Sequence, residues 1–412
     1  MSIDPLSQPL ADIDVSRPEL FHEDNWQELF ARLRKEDPVH YCKESVNGPY
    51  WSVTRHADIK AVDTNHEVFS SAKGVAIVGG DEAEGQPAEI SNFISMDPPM
   101  HDEQRATVTP AVAPTNLATM EPLIRERVVD ILENLPVGET FNWVDRVSIE
   151  LTARMLATLF DFPYEDRRKL VYWSDITTNV PQVTGVEIDP EVRMAGLHDC
   201  ATTFIQLWQE RAAQEPKFDL VSMLAHGEST KDMINNPLMF LGNILLLIVG
   251  GNDTTRNSIS GGVIALNKYP DEYQKLEDNP ALIPNMVSEM IRWQTPVIHM
   301  RRNATRDYEL NGKLIKKGDK VVMWYLSGNR DESVFEDADR FIIDRHNARQ
   351  HVAFGFGIHR CMGNRLAEMQ LRVLWEEIHK RFRKVELAGN VERIPNNFIR
   401  GIKDVPVILH AR

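Results

Sequence analysis

The sequence predicts a mainly helical chain carrying small peripheral β-sheets, an α+β class, on three observations. Helical spacing of apolar residues dominates from about 95 to 292. Short strand-like runs punctuated by turn residues lie on either side, near 38–75 and 295–412. No convincing linker divides the chain, so residues 1–412 are expected to form a single domain despite a length that could hold two or three.

Taken in order, Val39–Cys42 and Tyr50–Thr54 read as two strands joined by a turn at Asn47-Gly48-Pro49. From Gly74 to Ser91 runs a Gly-, Ala- and Glu-rich stretch without periodicity, expected to be a loop, either a connection or a lid. The clearest helical segments are Ile124–Leu135, Ser148–Phe160, Arg193–Ala213 and Asp232–Asn267. Strands follow at Met300–Ala304, Tyr308–Leu310 and Lys320–Tyr325, with turns at Asn311-Gly312 and Lys317-Gly318. A last strand is expected over Val405–His410.

Bulk properties exclude several functions. The chain has 61 acidic and 46 basic residues, a net charge of −15, which argues against nucleic acid or an anionic membrane as the main partner. Cys42, Cys200 and Cys361 are too few and too scattered for a disulfide framework and suit a reducing, cytoplasmic compartment. Residues Met1–Leu20 carry four acidic side chains and three prolines, which fits neither a signal peptide nor an anchor. The most apolar run, Leu238–Gly250, is too short for a bilayer and reads as a buried helix, so no stable membrane insertion is expected.

The chemistry starts at Cys361, in the run Phe354-Gly355-Phe356-Gly357-Ile358-His359-Arg360-Cys361-Met362-Gly363. Behind it Leu366, Met369, Val373, Leu374 and Ile378 mark one face of a helix. Glycines let backbone amides close around a sulfur, and the positive helix end favours a thiolate and lowers its pKa. One thiolate with no second Cys or His at metal-ligand spacing suits the axial position of a haem iron. A lone cysteine is otherwise a small buried hydrophobe.

A second unusual run is Gly250-Gly251-Asn252-Asp253-Thr254-Thr255, inside a long helix. Each glycine in a helix interior costs about 1 kcal/mol relative to alanine, so the run is expected to return something. Missing Cβ atoms let a flat cofactor approach, and a threonine hydroxyl can bond to a carbonyl one turn back. Asp253 and Thr254 offer an acid and an alcohol for moving protons to a bound oxygen species. The plainer reading is a kink with Asp253 in a salt bridge. A third pattern, Glu289-Met290-Ile291-Arg292, places opposite charges at i and i+3, ordinarily a surface pair of little worth.

Together these runs resemble the cytochrome P450 superfamily, with Phe354, Gly357, His359, Cys361 and Gly363 filling its haem-binding signature. His359 stands where arginine is commoner. The resemblance covers nearly the whole chain and implies the P450 fold with haem b held by Cys361 as iron ligand. It implies that Asp253 and Thr254 are catalytic, delivering protons, and that Gly250 lies against the haem. It implies that Glu289 and Arg292 lock the fold with a downstream arginine, expected to be Arg340 in Phe335-Glu336-Asp337-Ala338-Asp339-Arg340-Phe341, although Ala338 replaces the usual proline. Cationic partners for the haem propionates are expected at His101 and Arg105, at i and i+4 after Pro98-Pro99, at Arg302 and at His359. Strand alternation allows only one of Arg301 and Arg302 to face the haem.

Thiolate ligation favours oxygen activation, so the expected activity is a monooxygenase that inserts one atom of O2 into a C–H bond. The chain has no flavin or nicotinamide fingerprint, so electrons from NAD(P)H are expected through a ferredoxin and a ferredoxin reductase. Arg360, Arg365, Arg372, Lys380, Arg381, Arg383 and Lys384 are expected to form a basic face that steers the acidic donor. Leu246, Leu247, Val297, Ile298, Met300 and Phe398 are the expected substrate contacts, in apolar segments that suit an aliphatic molecule. A closer resemblance, in Val144–Leu151, Leu156–Pro163 and Ile291–Arg302, is to the bacterial alkane and fatty-acid terminal hydroxylases. It implies ω-hydroxylation of medium-chain alkanes or fatty acids by a monomeric enzyme. Oxidation of a terpenoid or steroid is the alternative on the same scaffold. A haem sensor or carrier is the alternative from another class, though it needs no proton relay.

Overall fold

The computed structural model describes residues 7–78, 91–178, 184 and 189–412. The expected 74–91 loop lies largely outside this set, at residues 79–90.

A 32-residue helix, Pro237–Lys268, runs through the centre. It starts where an N-cap should be: Asn236 accepts a hydrogen bond from the Met239 amide, Pro237 occupies the first turn, and Lys268 sits at the negative end. Helices Glu150–Phe160, Arg168–Thr178, Pro190–Ala212, Ile283–Gln294 and Asn364–Arg381 pack around it. Close approach depends on missing side chains. A Cβ on Gly261 would fall 2.6 Å from the Gln294 side chain, and one on Gly262 would fall 2.7 Å from Met290 Sδ. By length and composition this helix would suffice to cross a membrane, a test the run Leu238–Gly250 alone does not meet. Half of its most apolar stretch is buried inside the protein.

The strands form small sheets at the margins. The largest has the order Val39–Cys42, Tyr50–Val53, Lys320–Met323, Met300–Ala304, Phe69–Ser70, antiparallel except where Tyr50–Val53 meets Lys320–Met323. Thr140–Asn142, Pro406–Ala411 and Phe382–Leu387 make a second sheet. Asn311 and Gly312 both take positive φ, the turn needed by the tight hairpin Tyr308–Leu310 with Lys313–Ile315.

Several boundaries differ from the sequence expectation, among them the start of the central helix, expected at Asp232 and found at Pro237. The strand expected to reach Tyr325 stops at Met323, because Trp324 is buried among aromatic rings and the chain turns into the short helix Tyr325–Gly328. The helix expected from Ile124 starts at Pro114 and accommodates Pro122 in its interior. A π-helical stretch, Val144–Ile149, precedes Glu150–Phe160 where one α-helix from Ser148 was expected.

Candidate active site

The loop before Cys361 is shaped by two glycines with left-handed backbone, Gly355 at φ +65° and Gly357 at φ +66°. At Gly357 a Cβ would also lie 2.5 Å from the Asp63 carbonyl oxygen, so no larger residue fits. The Cys361 amide donates to the Phe354 carbonyl at 2.8 Å, closing the loop, and helix Asn364–Arg381 begins three residues later. Amide groups of Gly363 and Asn364 point at the sulfur, and the Arg105 and Arg360 charges lie near it.

The expected lowering of the thiol pKa is corrected. Burial is the largest influence and pushes it up, while those amides and arginines pull the other way without prevailing. A bound metal ion would resolve this, because a coordinating thiol gives up its proton outright. As a whole residue Cys361 still keeps accessible surface, although its thiol is crowded by the surrounding loop, whereas Cys42 and Cys200 are buried.

On the central helix, Leu246, Leu247, Gly250 and Thr254 form a partly accessible stripe at helical spacing on an element otherwise mostly buried. The two glycines have different reasons to be there. A Cβ on Gly250 meets nothing within 4 Å, whereas one on Gly251 would strike Leu156 Cδ2 at 2.6 Å. Gly250 therefore leaves space, and Gly251 permits helix packing. The Thr254 hydroxyl donates to the Gly250 carbonyl at 3.0 Å, the local bond that threonine in a helix favours.

Asp253 points elsewhere. It is fully buried, 2.9 Å from Arg256, whose same nitrogen lies 2.7 Å from Asp175 on helix Arg168–Thr178. Asn252 donates to Asp253 Oδ1 as well, while Asp253 Oδ2 is buried without a hydrogen-bond partner. Burial raises the Asp253 pKa, Arg256 opposes the rise, and Asp175 adds to it. Sequence reading allowed a salt bridge here but did not identify Arg256 or Asp175, which no local motif marks.

The cations converge on the loop. His101 is buried on helix Met100–Val108, its ring 4.4 Å from that of His359. Arg105, one turn on, donates to the Arg360 carbonyl. His101 Nε2 and His359 Nδ1 are buried without hydrogen-bond partners. Burial pushes the His359 pKa down to about 2, helped by Arg302, His101, Arg105 and His66. Such crowded positive charge with orphaned ring nitrogens fits an anionic group, as haem propionates would supply. A Cβ would meet nothing within 4 Å at either Gly250 or Gly363, open space at the helix and beside the cysteine that suits a flat cofactor.

The two strand arginines separate as alternation requires. Arg302 sits beside His359 and donates to Asp63 Oδ1 at 2.8 Å. Arg301 is buried on another contact, donating from Nε to Asn303 at 3.0 Å. Asp63 also accepts from the Tyr325 hydroxyl and the Phe356 amide, so it joins Arg302 to the cysteine loop. Nothing in the sequence around Asp63 signals this.

Arg340 is not the third partner of Glu289 and Arg292. Arg345 is: its Nε lies 3.1 Å from Glu289 Oε1, with both side chains buried. Arg340 is exposed and contributes its backbone carbonyl to Arg292 and Arg345. The arginine five residues farther on reaches inward because the chain turns at Asp337, φ +46°.

Among the expected substrate contacts, Val297, Met300 and Phe398 are partly accessible, as are Leu246 and Leu247. Ile298 is the exception. Alternation turns it into a fully buried cluster with Phe21, Phe30 and Trp324, so it lines no cavity. The basic face is also smaller than expected. Arg372 pairs with Glu121 and Glu376, Lys380 and Arg381 with Glu377, and Lys384 with Glu386. Arg360 and Arg365 remain exposed around the cysteine.

Comparison with known proteins gives the same assignment. Residues 191–406 match the family model for Cytochrome P450. The chain is 39% identical over 411 residues to linalool 8-monooxygenase of Pseudomonas putida, covering 96% of this chain and 98% of that one. It is 29% identical over 417 residues to the methyl-branched lipid omega-hydroxylase of Mycobacterium tuberculosis, covering 98% and 96%. The structure of Cytochrome P450-153 from Novosphingobium aromaticivorans superposes with a TM-score of 0.90 at 46% identity, over 96% of this chain and 99% of that one. Likeness of this depth spans both the cysteine loop and the central helix: the chain belongs to the cytochrome P450 family.

Proposed function

We propose that this enzyme hydroxylates the terminal carbon of linear aliphatic chains, alkanes or fatty acids of medium length. As a P450 it is a haem-thiolate monooxygenase that uses haem b, O2 and electrons from NAD(P)H delivered through a ferredoxin and its reductase. The observation that carries the substrate reading is the character of the accessible residues beside Gly250 and Thr254. They are Leu246, Leu247 and Val249, with Val297, Met300 and Phe398 on neighbouring segments, and none is charged. An apolar chain gains about 0.8 kcal/mol for each methylene it buries against such a wall. Likeness to a P450-153 structure and to a protein named for ω-hydroxylation supports the same reading.

In this proposal residues 1–412 act as one domain. Cys361 ligates the iron, Phe354 and Gly363 shape its surroundings, and Gly250 leaves room for the ring. His101, Arg105, Arg302 and His359 hold the propionates. When bound, haem b supplies oxygen activation and the insertion of one oxygen atom into a C–H bond. Thr254 would present its hydroxyl beside that chemistry, and Asp253, whose pKa burial raises against the pull of Arg256, stands one layer behind as the acid of the pair. Arg360 and Arg365 receive the ferredoxin; Arg365→Glu should raise its KM and leave peroxide-driven turnover unchanged. Free cysteines and the family suit a monomer in the cytoplasm.

The terminal methyl carries a stronger C–H bond than its neighbours, so position-specific attack requires an end-on approach. Reconstituted turnover with alkanes and fatty acids of graded length, products mapped by carbon position, tests this. Mainly terminal alcohols are expected; mainly subterminal alcohols would overturn it. Identity to linalool 8-monooxygenase favours a second reading, oxidation of a terpenoid. Tighter spectral binding of terpenoids than of any linear chain would select it.

A further inference from the structure

His299 is buried at the junction of two segments that border the proposed pocket. Its Nδ1 lies 2.9 Å from the Asn397 carbonyl and its Nε2 lies 3.0 Å from the Ile77 amide. A carbonyl only accepts and an amide N–H only donates, so the ring must carry its proton on Nδ1 and be neutral. Burial keeps it so by pushing its pKa down to about 3. The ring is wedged between Trp324 and Phe398, at centroid distances of 4.9 and 5.3 Å.

The two partners lie on separate segments, and the second has anchors of its own: Asn397 Nδ2 donates to the Ser16 carbonyl at 2.7 Å, and Val297 bridges Ile399. The Arg301 amide donates to the Val75 carbonyl at 2.7 Å, two residues before Ile77. The turn 396–399 is closed by Asn396 Oδ1, which accepts from the Phe398 and Ile399 amides. Its Phe398 carbonyl accepts from Ile298 at 2.8 Å. Among the described residues His299 is a side chain that joins the first segment to the second, and Val297, Met300 and Phe398 are partly accessible apolar residues near it.

We propose that His299 is a specificity-determining positioning residue: its imidazole bolts the 75–77 segment to the 396–399 turn and thereby fixes the wall formed by Val297, Met300 and Phe398. It touches no reacting atom. By fixing the far wall it restricts which carbon of the substrate reaches the haem, and in that respect the inference rests on the proposed function.

The test uses two variants of the haem-loaded enzyme. His299→Phe removes both hydrogen bonds and keeps the ring packing. His299→Gln can restore one donor and one acceptor. Correct folding is checked by the reduced carbon monoxide spectrum. Amide hydrogen exchange of the peptide containing Val75–Ile77 is expected to accelerate at least tenfold in His299→Phe, to return toward native in His299→Gln, and to stay native over Pro406–Ala411. With whichever substrate the enzyme hydroxylates, products from His299→Phe should spread over more carbon positions at native haem content. Native exchange at Val75–Ile77 in His299→Phe overturns the bolt. Faster exchange with an unchanged product distribution overturns the specificity role. A native enzyme inactive on linear chains overturns the proposed function, while the exchange result still decides the bolt.

Discussion

Arg345 holds Glu289 through its Nε, 3.1 Å from each carboxylate oxygen, where neither side chain reaches solvent. Breaking a buried pair by removing one partner costs roughly 3–5 kcal/mol, because the other charge stays in the interior. Arg345→Met should therefore unfold far more readily than the native enzyme in denaturant titrations. Arg340→Ala, which removes an exposed side chain, should stay within about 0.5 kcal/mol of native. Equal losses in the two variants would contradict the assignment.

The Asp253–Arg256 pair yields a pH prediction. A carboxyl whose folded pKa exceeds its unfolded value binds more protons when folded, so stability falls as pH rises between the two values. Asp253 is such a group, and Arg256 is what limits the rise. Arg256→Leu removes that limit. Its stability deficit against the native enzyme should widen as pH rises from the usual carboxylate range toward neutrality, toward roughly 3–5 kcal/mol. A deficit constant across that range would show that Asp253 does not titrate there.

The two glycines of the central helix should separate experimentally. Gly250→Ala places a methyl in open space and should stabilise the haem-free protein by roughly 0.5–1 kcal/mol, from helix propensity alone. Gly251→Ala drives a methyl against Leu156 and should be less stable than Gly250→Ala by about 1–3 kcal/mol. In the haem-loaded enzyme Gly250→Ala should weaken binding of a small distal ligand such as imidazole. Indistinguishable melting curves for the haem-free variants would remove the distinction.

Thr254→Ala should leave haem content and stability close to native, since the lost hydroxyl bonds only its own helix. The alcohol formed per NAD(P)H consumed should fall about tenfold or more, within the range of a lost proton donor. Thr254→Ser should recover it. Native coupling in Thr254→Ala would remove the hydroxyl from proton delivery.

The sequence made legible whatever is written locally. Helical and strand periods, the Asn311-Gly312 turn and the glycines of the Cys361 loop are short-range demands on the backbone, and the structure meets them. Between Arg301 and Arg302 the sequence left the choice open, and alternation separates them only once the strand register is known. What it did not disclose depends on contacts between distant segments. Asp63 meets Arg302 across 239 positions, and Asp175 meets Arg256 across 81. The choice of Arg345 over Arg340 turns on a positive φ at Asp337, and the burial of Ile298 turns on which strand face meets Trp324. Neither leaves a local mark in the sequence.

The central claim, that Cys361 is the iron's thiolate ligand, is tested most directly by the Soret band of the reduced carbon monoxide complex. The native enzyme should show the far-red-shifted band of thiolate ligation, and Cys361→His should retain haem and lose that band. A native enzyme lacking the shifted band, or a Cys361→His variant that keeps it, would contradict the account.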